Sequence, residues 1–318
     1  EMGYNVDVFN VCGKDEGPVS ENLNYWRNEW FNPAEPYDVL ISWRQPAIAQ
    51  WGDTCKAKKK ILWMHDLHAQ DAFTKQVTDF FDYIVPVSNW HGGYLKKVYN
   101  FLPLNKIAPI YNGINTGLFK EELPKQKFKW IYSSSPDRGL DKLIGIYKET
   151  LKFMPETELH IFYGWDNIDK LMMMGGPQYL AYLKERLLTA TKGYERIVWR
   201  GRVKQDELAR EFLTADAWFY PTDFLEVHCI SSWEAQASNC KIIATKCGAL
   251  PETIADRGIL IEGHPGSAIY QNIFMATLLG VYEREDVYKK EFGHVREYAL
   301  KNFGWEHAAA RWKELIDA

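Results

Sequence analysis

Two tandem α/β units, each a mostly parallel sheet wound on both faces by helices, are predicted by three observations. Strand-like apolar runs alternate with helix-like amphipathic runs along nearly the whole chain, the pattern of a doubly wound sheet. The 318 residues exceed the roughly 250–300 at which a single hydrophobic core stops growing. The alternation breaks in LFKEELPKQKFK, residues 118–129, a charged stretch with a proline that reads as an interdomain linker.

In the first unit VDVFNV, YDVLIS, KILWMHD, DYIVPVS and KIAPIYN read as buried strands, with helices in AFTKQVTDFF and WHGGYLKKVYN. The opening EMGYNVDVFNV has no initiator Met and reads as a helix end turning through Gly3 into a strand, so an upstream strand and helix are expected. The second unit runs KWIYSSS, LDKLIGIYKETLKF, ELHIFYG, QYLAYLKERLLTATKG, RIVWRGRV, QDELAREFLTA, AWFYPT, CISSWEAQAS, KIIAT and GILIEG, strand and helix taking turns. From Ala268 the tail is helical, interrupted near Gly293 and Gly304. The expected division is 1–120 and 121–290, with a terminal segment at 291–318. Ligands of open parallel sheets bind beyond the carboxyl ends of the strands, so the loops after each strand are where chemistry is sought.

Composition narrows the function classes. With 46% hydrophobic and 25% charged residues the chain is an ordinary globular protein, not a disordered or collagen-like one. A net charge of −4 argues against a broad nucleic-acid footprint, and KAKKK at 56–60 reads as a solvated loop. Cys12, Cys55, Cys229, Cys240 and Cys247 are odd in number and none stands in a CxxC pair. That disfavours a disulfide framework or zinc knuckle and fits a reducing, cytoplasmic setting. No apolar run approaches the ~18 residues of a membrane span, which leaves peripheral membrane contact open. Thirteen Trp and 18 Tyr suit stacking on sugar faces as well as core packing.

Three loops carry candidate chemistry. SSSPDRG, residues 133–139, puts the hydroxyls of Ser133, Ser134 and Ser135 and the guanidinium of Arg138 before a helix, where they and the helix amides can converge on a diphosphate. The same loop also reads as a helix entry capped by Ser135 or Asp137. WRGRVKQDEL places Gly201, Arg202 and Val203 at a strand end, where backbone groups can line a flat pocket for a base or simply make a turn. EVHCISSWE sets Glu226 and Glu234 eight positions apart around a helix start at Cys229, Ile230 and Ser231. On a continuous helix the two side chains would stand about 80° and ~12 Å apart, too far to share a proton or a metal. They suit the two ends of an extended ligand whose anionic middle meets the helix start; each also reads singly as a solvent-facing Glu. His65, Asp66 and His68 in HDLH read as a strand-end turn rather than a metal site.

EVHCISSWEAQASNCKIIATKCGALPETI, with WRGRVKQDEL, VPVSNWHGGYL, YNGINTGLF and SSSPDRGLDKLI, resembles the family 4 retaining glycosyltransferases of the GT-B fold and its E-x7-E signature. The likeness spans nearly the whole chain in the family's order. It implies two Rossmann-like domains facing a cleft, a nucleoside-diphosphate sugar as donor substrate, a glycan, lipid or protein-linked acceptor, and no cofactor or metal. It implies that Glu226 meets the donor sugar, Glu234 the ribose hydroxyls and Arg138 the diphosphate. His65 would approach the donor sugar and acceptor, Asn112 and Gly113 would precede the hinge, and the terminal helix would cross back to the first domain.

The chain departs from the family at Ser133, where an Arg is common, at Cys229, where a Gly precedes "IS", and in SNC, where a Gly is usual. The family's first strand and glycine-rich loop are not in this sequence. With no nucleophile placed for double displacement, front-face substitution through an oxocarbenium-like transition state is expected, the leaving group held by Arg138, the serines and the helix start. The alternatives are a non-catalytic nucleotide-sugar-binding domain of a larger chain, a nucleotide-sugar epimerase, and a glycoside hydrolase, whose acid pairs stand roughly 5–9.5 Å apart.

Overall fold

The computed structural model describes residues 3–11, 16–69 and 73–318, so Cys12 and the first residue of the predicted AFTKQVTDFF helix, Ala72, lie outside the described residues. The chain forms two compact units, 1–111 with 308–318, and 112–307.

The first unit holds β1 (Val6–Asn10), β2 (Gly17–Ser20), β3 (Leu23–Arg27), β4 (Val39–Trp43), β5 (Lys59–Met64) and β6 (Tyr83–Pro86), with helices α1 (Lys75–Phe80) and α2 (Asn89–Val98). These strands do not form the single sheet expected from sequence. They make two three-stranded sheets, β1-β3-β2 and β4-β5-β6, because β1 pairs in parallel with β3, a segment too polar to read as a buried strand. KIAPIYN is not a strand either. It lies extended along β6, with the N–H of Ala108 bonded to the Ile84 carbonyl and that of Ile110 to Pro86; Pro109 between them has no N–H to extend a ladder, which confines it to an edge.

Alternation along β5 separates two faces. Leu62 and Met64 pack with Phe81, Ile84 and Leu95, while Ile61 packs with Val85, Ile110, Ala308 and Trp312 on the opposite face. KAKKK is only partly the solvated loop expected: Lys59 and Lys60 begin β5, and Lys59 Nζ donates to the carbonyls of Leu315 and Ile316 at 3.0 and 2.7 Å. A cation there satisfies helix-end carbonyls that have no intrahelical partner.

The second unit holds β7 (Gln126–Tyr132), β8 (Glu158–Phe162), β9 (Ile197–Gly201), β10 (Ala215–Tyr220), β11 (Lys241–Thr245) and β12 (Ile259–Ile261). They form one sheet in the order β12-β11-β10-β7-β8-β9, every neighbour parallel. Helices α3 (Leu140–Thr150), α4 (Asp166–Met173), α5 (Tyr179–Thr191), α6 (Gln205–Thr214), α7 (Ile230–Ala237), α8 (Leu250–Ile254), α9 (Ala268–Glu283), α10 (Glu285–Phe292), α11 (Val295–Asn302) and α12 (Trp305–Asp317) complete the chain. Of these, α4 and α8 were not legible beforehand. The helical tail breaks where expected, at Gly293 and around Gly304, and the residues of α12 from Ala308 onward group with the first unit.

All six residues of β10 are buried, as expected of a central strand covered on both faces. Trp130 of β7 meets Phe219 of β10 edge-on at 4.8 Å. The stretch 118–129 is no free linker. Phe119 is buried, and Arg296 donates to the carbonyls of Phe119, Lys120 and Glu121. Lys125 donates to those of Phe212, Ala215 and Ser238. Lys125 of this stretch and Arg296 beyond it anchor backbone oxygens, which is why charge and a proline misled the reading.

Candidate functional site

The strand order of the second unit reverses between β7 and β10: the chain moves outward from β7 through β8 to β9, then returns to β10 and moves out the other way. Such a switch point opens a crevice at the strand ends, where ligands of these sheets bind. The loops that leave β7 and β10 are the two that hold Arg138 and Glu226.

Two glycines let these loops touch. Gly139, with φ at 93°, stands where an added Cβ would come within 2.5 Å of the Pro221 carbonyl oxygen. Gly248, with φ at 56°, likewise leaves no room for a Cβ against the backbone of Glu226. The Glu226 backbone is then fixed at both ends, its N–H bonded to the Phe224 carbonyl at 2.9 Å and its carbonyl accepting from Ala249 at 2.7 Å.

The Glu226 side chain is 3% exposed, so it is not the solvent-facing acid that it reads as singly. Tyr220, the last residue of β10, donates to its Oε1 at 2.6 Å, and Arg138 Nη1 reaches both oxygens at 3.2 and 3.3 Å. Burial and the neighbouring carboxylate push the Tyr220 hydroxyl well above its ordinary pKa, so it remains a donor. The guanidinium of Arg138 also lies 4.2 Å from the Phe224 ring, and its Nε has no partner among the described residues. A buried carboxylate keeps its place only when paired and hydrogen-bonded; here the pairing brings together two residues that the sequence reading had assigned to different parts of a ligand.

Ser133 Oγ donates to Ser231 Oγ at 3.0 Å, which joins the β7 loop to the first turn of α7. Ser134 is buried, and Ser135 accepts through its carbonyl from Tyr132 Oη at 2.7 Å and from the Arg138 N–H at 2.9 Å. Neither Ser135 nor Asp137 caps α3, whose N-cap is Gly139. Cys229 is the N-cap of α7, and its side chain makes no cap hydrogen bond to the helix start; Ile230 and Ser231 follow in its first turn. Glu226 precedes that helix, so the 80° and ~12 Å helical offset does not apply to the pair.

Glu234 sits inside α7 and is 4% exposed. Gln205, the first residue of α6, donates to its Oε1 at 2.5 Å. Burial raises the Glu234 pKa to about 7, against the opposing effect of Gln205. Gly201, with φ at 68°, ends β9, and Arg202 and Val203 lead through Lys204 into α6. Close packing of Gly164 against the Arg202 N–H, 3.2 Å from where a Cβ would stand, holds the loops after β8 and β9 together.

His65 belongs to the first unit, just beyond β5. Its ring stands edge-on to Trp63 at 4.6 Å and to Trp43 at 5.9 Å. Burial, with Arg44 and His91 adding to it, lowers its pKa to about 4, so the imidazole is neutral near pH 7. Asp66 pairs with Arg44 at 3.4 Å, and His68 Nε2 lies 3.2 Å from Tyr94 Oη, partners that suit a strand-end turn. Tyr220, Phe224, Gln205 and Gly248 were missed from sequence. A tyrosine closing a mostly apolar strand was the one available signal; the others act through neighbours distant in the chain.

With this architecture the fold is GT-B, α/β with parallel sheets in Rossmann-like units. It resembles that of sucrose-phosphate synthase from Thermosynechococcus elongatus, with a TM-score of 0.74 at 16% identity over 99% of this chain and 89% of that one. It also resembles Anabaena HepE in complex with UDP-glucose, with a TM-score of 0.67 at 13% identity over 88% and 79%. Residues 161–275 match the family model described as Glycosyl transferases group 1. Two curated relatives are a D-inositol 3-phosphate glycosyltransferase of Corynebacterium diphtheriae, 24% identical over 56% of this chain and 39% of that protein, and a GDP-mannose-dependent phosphatidylinositol monomannoside mannosyltransferase of Mycolicibacterium smegmatis, 26% identical over 57% and 45%. The chain thus spans less than half the length of either curated relative.

Proposed function

We propose that this protein is a retaining glycosyltransferase that moves a hexosyl or pentosyl group from a nucleoside-diphosphate sugar to a carbohydrate-type acceptor, without a metal or other cofactor. The observation that carries this reading is the buried Glu226 held by Arg138 and Tyr220 at the switch point of the second sheet; Glu226 and Tyr220 lie inside the segment that matches the glycosyltransferase model, and Arg138 precedes it. HepE, of the same fold, is described with UDP-glucose, which supports a donor of that class.

In this reading Arg138 and the uncapped start of α7 meet the diphosphate, since a guanidinium and oriented helix amides stabilise charge that grows on a leaving phosphate. Ser133, Ser134 and Ser135 lend backbone and hydroxyl groups beside it. Glu226 faces the transferred sugar. Its oxygens are already engaged by Tyr220 and Arg138, which makes it a poor nucleophile and favours front-face substitution over a covalent intermediate. Glu234 accepts from the ribose hydroxyls, and Gly201, Arg202 and Val203 border the base. His65, neutral and with its Nε2 unpartnered among the described residues, is a candidate hydrogen-bonding group in transfer.

Isothermal titration with nucleoside diphosphates and their sugars tests the assignment. Glu234→Ala weakens binding of the nucleoside diphosphate itself, whereas Glu226→Ala spares it and weakens the sugar nucleotide. If both variants bind both ligands as the wild type does, the site is elsewhere. Donor binding without nucleotide release, across a range of acceptors, would mark the chain as a binding domain without turnover.

A further inference from the structure

We propose that the carboxyl edge of β4 and β5 in the first unit is a stacking subsite for a neutral pyranose ring, built on Trp43 with Arg44 and Asp66. The inference rests on the glycosyltransferase reading for its meaning, as the place where a sugar acceptor is held.

Trp43 ends β4, and its neighbour across the register is Trp63 of β5. Trp63 is packed edge-on against Trp312 at 5.2 Å and His65 at 4.6 Å. In this row of rings Trp43 is the open one, 51% exposed, although strands of parallel sheets are ordinarily covered on both faces. An indole left open at a strand end offers a flat apolar surface to the C–H face of a sugar, with large contact area and little rotamer entropy to lose.

Arg44 follows immediately in the left-handed region, with φ at 62°. A bulky side chain there is an outlier, and strain of this kind persists only where the surroundings hold it, most often at ligand sites. The hold is visible: the Arg44 N–H donates to the Trp63 carbonyl at 3.0 Å. Its guanidinium lies 4.9 Å from the centroid of the Trp43 ring and 3.4 Å from Asp66 Oδ1, with both charged side chains open to solvent.

The charge balance selects the ligand class. An anion would be drawn by Arg44 and repelled by Asp66. A neutral polyol satisfies both, because its hydroxyls donate to the carboxylate and accept from the guanidinium. His65 adds no charge to the set and has a ring nitrogen to spare.

Saturation-transfer NMR on the whole chain tests this with methyl α-D-glucopyranoside, methyl α-D-mannopyranoside, methyl β-D-galactopyranoside and glucose 6-phosphate. At least one neutral glycoside binds, Trp43→Ala weakens it by about fivefold or more, and Trp43→Phe keeps it within about twofold. Arg44→Ala weakens it as well. Unchanged binding in Trp43→Ala, no binding of any neutral glycoside, or preference for glucose 6-phosphate overturns the subsite. A parallel nucleoside-diphosphate titration reads the second unit separately. Lost sugar binding with intact nucleotide binding in Trp43→Ala supports the subsite, while retained sugar binding without any nucleotide binding in the wild type removes the glycosyltransferase reading and leaves the subsite standing.

Discussion

Past β7 and β10 of the second unit, strand ends close on one another; past β4 and β5 of the first, they stay open. At the first of these places a buried carboxylate takes hydrogen bonds from a tyrosine and an arginine, and two glycines let backbones meet where no Cβ fits. At the second, an indole and an ion pair face solvent. The difference teaches how rigidity is distributed. Pairing buried charges is worthwhile only with fixed geometry, so the closed end is built in advance, and the open end keeps surface that a ligand can cover.

The largest effect expected from breaking this contrast is at the closed end. Gly139→Ala adds left-handed strain and an overpacked backbone contact, so denaturant unfolding should show a loss on the order of 4 kcal/mol. Next comes Glu234. Its folded pKa of about 7 lies above the ordinary carboxylate value, so its favourable contribution is whole below that ordinary value and is lost as pH rises through 7. Glu234→Gln should therefore flatten the stability profile across that window and gain on the order of 3 kcal/mol over the wild type at pH 8, as followed by urea unfolding at several pH values. In the wild type, binding of a sugar nucleotide through the ionised acid should weaken about tenfold from pH 8 to pH 6.

Arg138→Ala leaves Glu226 buried without its cation; because the arginine is itself partly exposed, the cost in stability should be about 2 kcal/mol, and Arg138→Lys should recover part of it. At the open end Trp43→Ala should change stability by less than about 1 kcal/mol, since half of that ring is already in water. A large loss there would mean that the indole is structural and that the two ends are finished alike.

Much of this was legible in advance where the signal is local. Most of the second unit's strands and helices followed from apolar period, and the loops bearing Arg138 and Glu226, with the helix start that leads to Glu234, were found because they follow strands. Errors arose where a residue's partner is remote. LNYWR was passed over because Asn24 and Arg27 interrupt its apolar residues, yet it forms the middle of a sheet. Lys125, read as part of a charged linker, instead ties carbonyls far along the chain, and Arg296 ties carbonyls of that same stretch.

By itself the sequence determined the alternation of strands and helices and the loops that carry the candidate site residues, because hydrophobic period and turn residues act over a few positions. Tertiary structure decided that Arg138 grips Glu226 across 88 positions, that Gln205 meets Glu234 across 29, and that the first unit's strands divide into two sheets. Those outcomes depend on strand order and on which backbones can approach, quantities that no local spacing encodes.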